Sequence, residues 1–183
     1  MYQLKVNASE KRDTVLHYAA FLHLHGKLCV VVGGGVVATR KVRNLLASGA
    51  SITVVSPEIT SDLQSWISDG RVHHVARAYQ ATDVTGAALV FAATNHRAVN
   101  EAIAHDADAL GIWCNVADDA KACDFIVPAV YEQAGIQLAI STSGHSPALA
   151  KKLRDALAKD LEDGGRRFYA ALEQLSSGDG TAL

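Results

Sequence analysis

Residues 28–38 read LCVVVGGGVVA: five apolar residues, three glycines, then the start of a helical pattern. A strand over Leu28–Val32 is apolar on both faces, so both must be covered, as in a parallel sheet flanked by helices. Gly33-Gly34-Gly35-Val36-Val37-Ala38 fits G-x-G-x-x-G/A and stands between a strand and a helix, the context that gives this pattern its meaning. Gly33 allows the tight turn, Gly35 lets a pyrophosphate approach the backbone, and Ala38 lets the helix pack closely on the sheet. The phosphates belong at the helix N-terminus, where open N–H groups and the dipole favour negative charge. Gly33, Gly34, Gly35, Val36 and Val37 are therefore the first cofactor-binding candidates.

Working outward, Val37, Ala38, Val42, Leu45 and Leu46 lie at helical spacing within Val36–Ser48, and Gly49 ends that helix. Ile52–Val55 is a second buried strand. The same alternation continues with a helix over Asp62–Asp69, strands at Val72–Ala76 and Leu89–Ala93, a helix over Asn95–Leu110 and a strand at Ile112–Val116. This order predicts an α/β protein built on a Rossmann-type, doubly wound parallel sheet. Beyond Asp119 the pattern changes. Phe125–Val130 and Ile136–Ser141 read as strands around a turn at Tyr131–Gly135, a small antiparallel extension. Ser146 and Pro147 then cap a helix carrying Leu149, Leu153, Leu157 and Leu161, and Gly164-Gly165 stops it. A short helix over Arg166–Leu175 and an irregular tail follow. The expected division is a nucleotide-binding domain over 1–117, N-terminal arm included, and a strand-and-helix segment over 118–183.

Chemistry concentrates at the strand ends. An acidic residue usually ends the second strand and holds the adenosine ribose. Here Ser56, Pro57 and Glu58 follow Val55, so the acid is either absent or displaced by two residues, and Ser56 is a group that could still bond the ribose. No arginine stands there to take a 2′-phosphate, which points to NAD over NADP. Thr94, just past the fourth strand, completes the cofactor candidates. Asn115-Val116-Ala117-Asp118-Asp119 runs off the end of the last parallel strand, and a carboxylate there is placed either to accept a proton or simply to cap a turn. The hydroxyl-rich loop at 141–147 opens a helix, either as an ordinary cap or as a site for a substrate carboxylate.

Composition narrows the function classes. The 183 residues are 49% apolar and 20% charged, with a formal charge of −2 that leaves no electrostatic footprint for nucleic acid. The polar start is not that of a secretory signal, and no apolar run is long enough for a membrane span. The three cysteines form no C-x-x-C pair, which fits a cytoplasmic protein with reduced thiols. Eight histidines invite a metal site, but neither zinc-finger spacing nor H-E-x-x-H occurs, so no resident metal is expected.

Four segments in order sharpen the reading: YAAFLHLHGKLCVVVGGGVVATRKVRNLLASGASITVVSPE, LVFAATNHRAVN, NVADDAKACDFIVPAV and LAISTSGHSPALAKKLRD. Together they resemble the precorrin-2 dehydrogenase family, the N-terminal module of siroheme synthases, over roughly residues 18–160. The resemblance implies a Rossmann domain, a strand region for homodimerisation and a helical C-terminal segment. It also implies NAD-dependent oxidation of precorrin-2 to sirohydrochlorin, with insertion of Fe(II) or Co(II) in some members. The family's catalytic aspartate maps onto Asp118, and Thr142 falls at a hydroxyl position on the substrate side. Ser143, His145 and Lys121 join Thr142 as substrate-binding candidates, because a polycarboxylate macrocycle calls for hydroxyls and cations; Arg40, Lys41, Arg97, Lys151 and Lys152 are further cations. Relatives carry acidic residues where this chain has Asn95 and His96, and often paired glycines where Ser143 precedes Gly144. The N-terminal arm is longer than usual, the C-terminal segment looks short, and no methyltransferase activity is expected of this segment. Two other classes remain: a dinucleotide-sensing module without catalysis, which fits the glycine turn, and a tetrapyrrole chelatase or carrier that has lost the use of NAD.

Overall fold

The computed structural model describes residues 17–117, 119–133, 135–143, 145–166, 168 and 170. These form two units, one spanning residues 22–127 and the other containing the described residues from 128 onward.

In the first unit, β1 (Leu28–Val32), β2 (Ser51–Val55), β3 (His73–Val75), β4 (Leu89–Ala92) and β5 (Trp113–Val116) form one parallel sheet in the order β3-β2-β1-β4-β5. The order reverses at β1, so the carboxyl ends of β1 and β4 flank the crevice where such sheets bind ligands. Side chains alternate between faces. Cys29, Val31, Ile52, Val54, Leu89 and Phe91 meet Ala38, Val42 and Leu45 of α1 (Val36–Ala47) and Leu63 of α2 (Ser61–Ser68). Val30, Val32, Val55, Val90, Ala92, Cys114 and Val116 meet Ile103 and Ala107 of α3 (Arg97–Ala109). The central strand is covered on both faces: Cys29, Val30 and Val31 are 0% exposed, as the uninterrupted apolar run requires. Full burial of each such side chain contributes about 1.5–3 kcal/mol.

The second unit holds an antiparallel hairpin, β6 (Ala129–Gln133) with β7 (Ile136–Ile140), and α4 (Pro147–Glu162). Ser146 caps α4 by accepting from Leu149 N–H, with Pro147 in the first turn. The strand expected at Phe125–Val130 lies instead at Ala129–Gln133, and Tyr131, expected in the turn, pairs with Leu138. Pro128 has no N–H to give a ladder, and Phe125 is spent on an edge-to-face contact with Phe91, 5.5 Å between centroids. The first unit runs to Val127. Residues 119–127 fold back on β5, with Asp124 N–H donating to Cys114 O at 2.9 Å and Cys114 N–H donating to the Asp124 carboxylate at 2.8 Å. Of the helix expected over Arg166–Leu175, Arg166, Phe168 and Ala170 are described and helical; its other residues, the C-terminal tail and the N-terminal arm up to residue 16 lie outside the described residues.

Candidate cofactor and substrate site

The glycine turn is shaped by its neighbours. Gly33 has φ 120°, and a Cβ there would stand 2.3 Å from Ala93 O. Its N–H donates to Val55 O at 2.9 Å, tying the turn to the end of β2. At Gly34 an added Cβ would fall 1.8 Å from Glu58 O, so the backbone after β2 occupies that space. Gly35 differs from both: nothing lies within 4 Å of its Cβ position, and it is the N-cap of α1 with no side-chain cap and no acidic residue in the first turn. Open space beside an uncapped helix N-terminus, with Val36 exposed, fits a dinucleotide pyrophosphate held by backbone N–H groups around Val36 and Val37.

The loop after β2 is latched over this turn. Thr60 N–H donates to Gly34 O at 3.0 Å, and the Thr39 and Thr60 hydroxyls are 2.7 Å apart. Ser56, expected to reach a ribose, is buried, and its hydroxyl donates to Glu58 O at 2.7 Å. The hydroxyl proton is committed within the loop, so Pro57 and Glu58 are the exposed groups at this strand end. Sequence spacing leaves the acid either absent or displaced there, and does not show that Ser56 turns inward.

A cleft of about 370 Å³ opens at the carboxyl ends of β4 and β5, lined by Thr94, Asn95, Arg97, Asn100, Glu101, Val116, Ala117, Asp119 and Ala122. Thr94 belongs to it, but its polar atoms are engaged: its N–H and hydroxyl both donate to Asn100 Oδ1, at 3.1 and 2.7 Å. That pairing fixes the turn into α3. Arg97 donates to Glu101 at 2.7 Å, and Glu101 and then Asp119 hold its guanidinium charged. Asp118 lies outside the described residues; its chain neighbours Ala117 and Asp119 both line this cleft. Lys121 sits in a 3-10 turn, exposed, with its N–H donating to the Asp119 carboxylate at 3.1 Å.

Thr142, Ser143 and His145 belong to the second unit. Thr142 Oγ1 accepts from Ser146 N–H at 3.0 Å, and Thr142 O accepts from His145 N–H at 3.0 Å, so Thr142 pins the start of α4. Ser143 takes φ 51°, and His145 is exposed. Sequence reasoning missed Asn115, Cys123 and the Thr39–Thr60 latch. The available signal was Asn115 itself, an amide inside an otherwise apolar strand run. Among the described residues, no group of three or more His, Cys, Asp or Glu side chains is arranged to hold a metal ion, and no helix is long and apolar enough to cross a membrane.

Fold and glycine turn define a dinucleotide-binding α/β protein, and residues 20–129 match the family described as "Putative NAD(P)-binding". Residues 134–159 match the "Sirohaem biosynthesis protein central" family. The solved structure "SirC, precorrin-2 dehydrogenase" superposes with a TM-score of 0.68 at 30% identity, covering 79% of this chain and 71% of that one. The chain belongs to the precorrin-2 dehydrogenase family. It is 42% identical over 134 residues to the siroheme synthase of Methylobacillus flagellatus, covering 73% of this chain and 29% of that protein. With the siroheme synthase of Chromobacterium violaceum it shares 41% identity over 151 residues, 82% of this chain and 32% of the other. The chain thus spans about three-tenths of the length of these curated relatives.

Proposed function

We propose that this chain oxidises precorrin-2 to sirohydrochlorin with NAD as the acceptor. The observation that carries the reading is one unit holding both an uncapped helix N-terminus beside Gly35 and a polar cleft at the ends of β4 and β5. Bound nicotinamide supplies the hydride acceptor. Val36 and Val37 N–H groups hold the pyrophosphate, and the exposed Glu58 stands at the strand end where ribose hydroxyls are recognised. Two hydrogens leave the macrocycle, one as hydride and one as a proton; Asp118, between two cleft residues in the chain, takes the proton. Arg97 and Lys121 offer cations to the substrate carboxylates, and the family likeness supports Thr142, Ser143 and His145 as further substrate-binding groups. The exposed Glu58, a carboxylate that a 2′-phosphate would face, supports NAD over NADP.

A homodimer accompanies this reading. Val130 and Ile136 of the hairpin and Leu149 and Leu153 of α4 are exposed at 43, 59, 42 and 39%. A two-stranded hairpin with a single helix is marginal alone, and a second copy would cover these side chains. Three free cysteines support a cytoplasmic setting.

The test is anaerobic incubation with precorrin-2 and NAD, following NADH and sirohydrochlorin spectra, before Fe(II) or Co(II) is added as a second substrate. Stoichiometric NADH is expected, lost in Asp118→Ala while NAD binding persists. NAD binding without turnover would turn the assignment to a sensing module. A metal-dependent spectral change above the protein-free control would add chelation, and chelation without NADH would favour a chelatase that does not use NAD.

A further inference from the structure

We propose that Lys41 is a positioning residue for the loop after β5, acting through Asn115; its kinetic consequence rests on the dehydrogenase reading, its structural consequence does not. The register pairs Phe91 of β4 with Asn115 of β5, and alternation turns both toward the face that α1 covers. Lys41, in the second turn of α1, reaches across that face. Its Nζ lies 2.7 Å from Asn115 Oδ1 and 5.4 Å from the centroid of the Phe91 ring. Asn115 is 7% exposed and spends its amide nitrogen on Phe125 O at 2.9 Å and Cys123 Sγ at 3.5 Å. Cys123 in turn accepts from Val116 N–H, and its S–H faces the carbonyls of Val116 and Asp119, each contact 3.2 Å.

A primary amide has a donor end and an acceptor end and can be turned over. An ammonium accepts nothing, so Lys41 permits only the orientation that points Oδ1 toward α1. The amide N–H groups are then directed at Phe125 and Cys123, which close the loop. Charge assistance and partial exclusion of water strengthen this choice. Without the cation, the flipped amide becomes accessible, and Phe125 O loses its donor. One side chain therefore connects the helix that receives the pyrophosphate to the loop that carries Asp118 and Asp119.

The experiment compares wild type with Lys41→Met and Lys41→Arg, reading alkylation of Cys123 by peptide mass spectrometry, NAD affinity, and kcat and KM for precorrin-2. Cys123 in Lys41→Met should react about 10-fold faster, the scale set by losing one charge-assisted hydrogen bond. NAD affinity and KM should stay within about twofold while kcat falls about 10-fold, again the loss of one such bond. Lys41→Arg should restore the alkylation rate and kcat. An unchanged Cys123 rate in Lys41→Met overturns the proposal, and so does failure of arginine to rescue. If no form turns over, the dehydrogenase reading falls, while the Cys123 rates still decide the role of Lys41. Should Lys41→Met not fold, Lys41→Gln, a neutral and shorter donor, takes its place in the same measurements.

Discussion

A Cβ on Gly34 would stand 1.8 Å from the carbonyl oxygen of Glu58, whereas one on the adjacent Gly35 would meet nothing within 4 Å. The two positions should therefore fail differently. Gly34→Ala forces the loop after β2 away and should cost about 1–3 kcal/mol of stability, the usual scale for overpacking. Gly35→Ala should change stability by less than about 1 kcal/mol, an N-cap effect, while weakening NAD binding through its methyl group. Thermal melts paired with NAD titrations separate these outcomes; equal melting temperatures for the two variants would contradict the assignment.

The thiols should be slow to react in the folded protein. Burial pushes Cys29 up to about 11 and Cys114 up to about 12, and burial also raises Cys123. Because the thiolate is the nucleophile, raised values mean little reactive form at neutral pH. Site-resolved alkylation should be slow near neutrality, accelerate as pH rises, and become rapid for all three in guanidinium. Rapid labelling of native Cys114 at neutral pH would contradict its placement.

Ser143 adopts φ 51°, a left-handed conformation that disfavours a Cβ, and its N–H is bonded to Ser141 Oγ at 3.0 Å. Ser143→Gly keeps that backbone bond and relieves the strain, offset by glycine's greater freedom when unfolded. A net gain of about 0.5–1 kcal/mol is expected in chemical denaturation. A loss of stability would show that the serine hydroxyl contributes more than its backbone costs.

Asp83 gives a pH signature. Arg77 donates to both carboxylate oxygens at 2.8 and 2.6 Å, and Gln80 N–H adds a third bond at 2.8 Å. The guanidinium and this N–H hold the Asp83 carboxyl below its ordinary value against the opposing effect of burial. A depressed folded value means the stabilisation is complete above the unfolded value of about 4 and is lost as pH falls through the folded one. Asp83→Asn should cost about 1.5–3 kcal/mol near neutrality, with the gap to wild type closing in acid. Urea denaturation across that range measures it, and a gap independent of pH would rule out the carboxylate as its source.

Most of the parallel sheet was legible because its cause is local. The run at Val30–Val32 can only be covered on both faces, and the glycines at 33–35 leave few other geometries. What escaped depends on distant partners. Phe125 looks like strand until Phe91 claims it, and Ser56 looks available until the Glu58 carbonyl accepts its hydrogen bond. The Lys41–Asn115 bond joins residues 74 positions apart, a pairing that periodicity does not contain. Register errors at the hairpin have the same origin, since Pro128 marks a boundary but pairing with β7 sets the phase.

Two hydrogen bonds between Cys114 and Asp124 bring the chain back to the strand it has just left. Past the end of β5 the chain between them is a closed excursion, and loop-closure entropy grows only slowly with added residues. Residues added within 120–122 should therefore cost little stability while the two anchors stay in place. New reactivity can thus arise on the same scaffold without the scaffold having to be rebuilt.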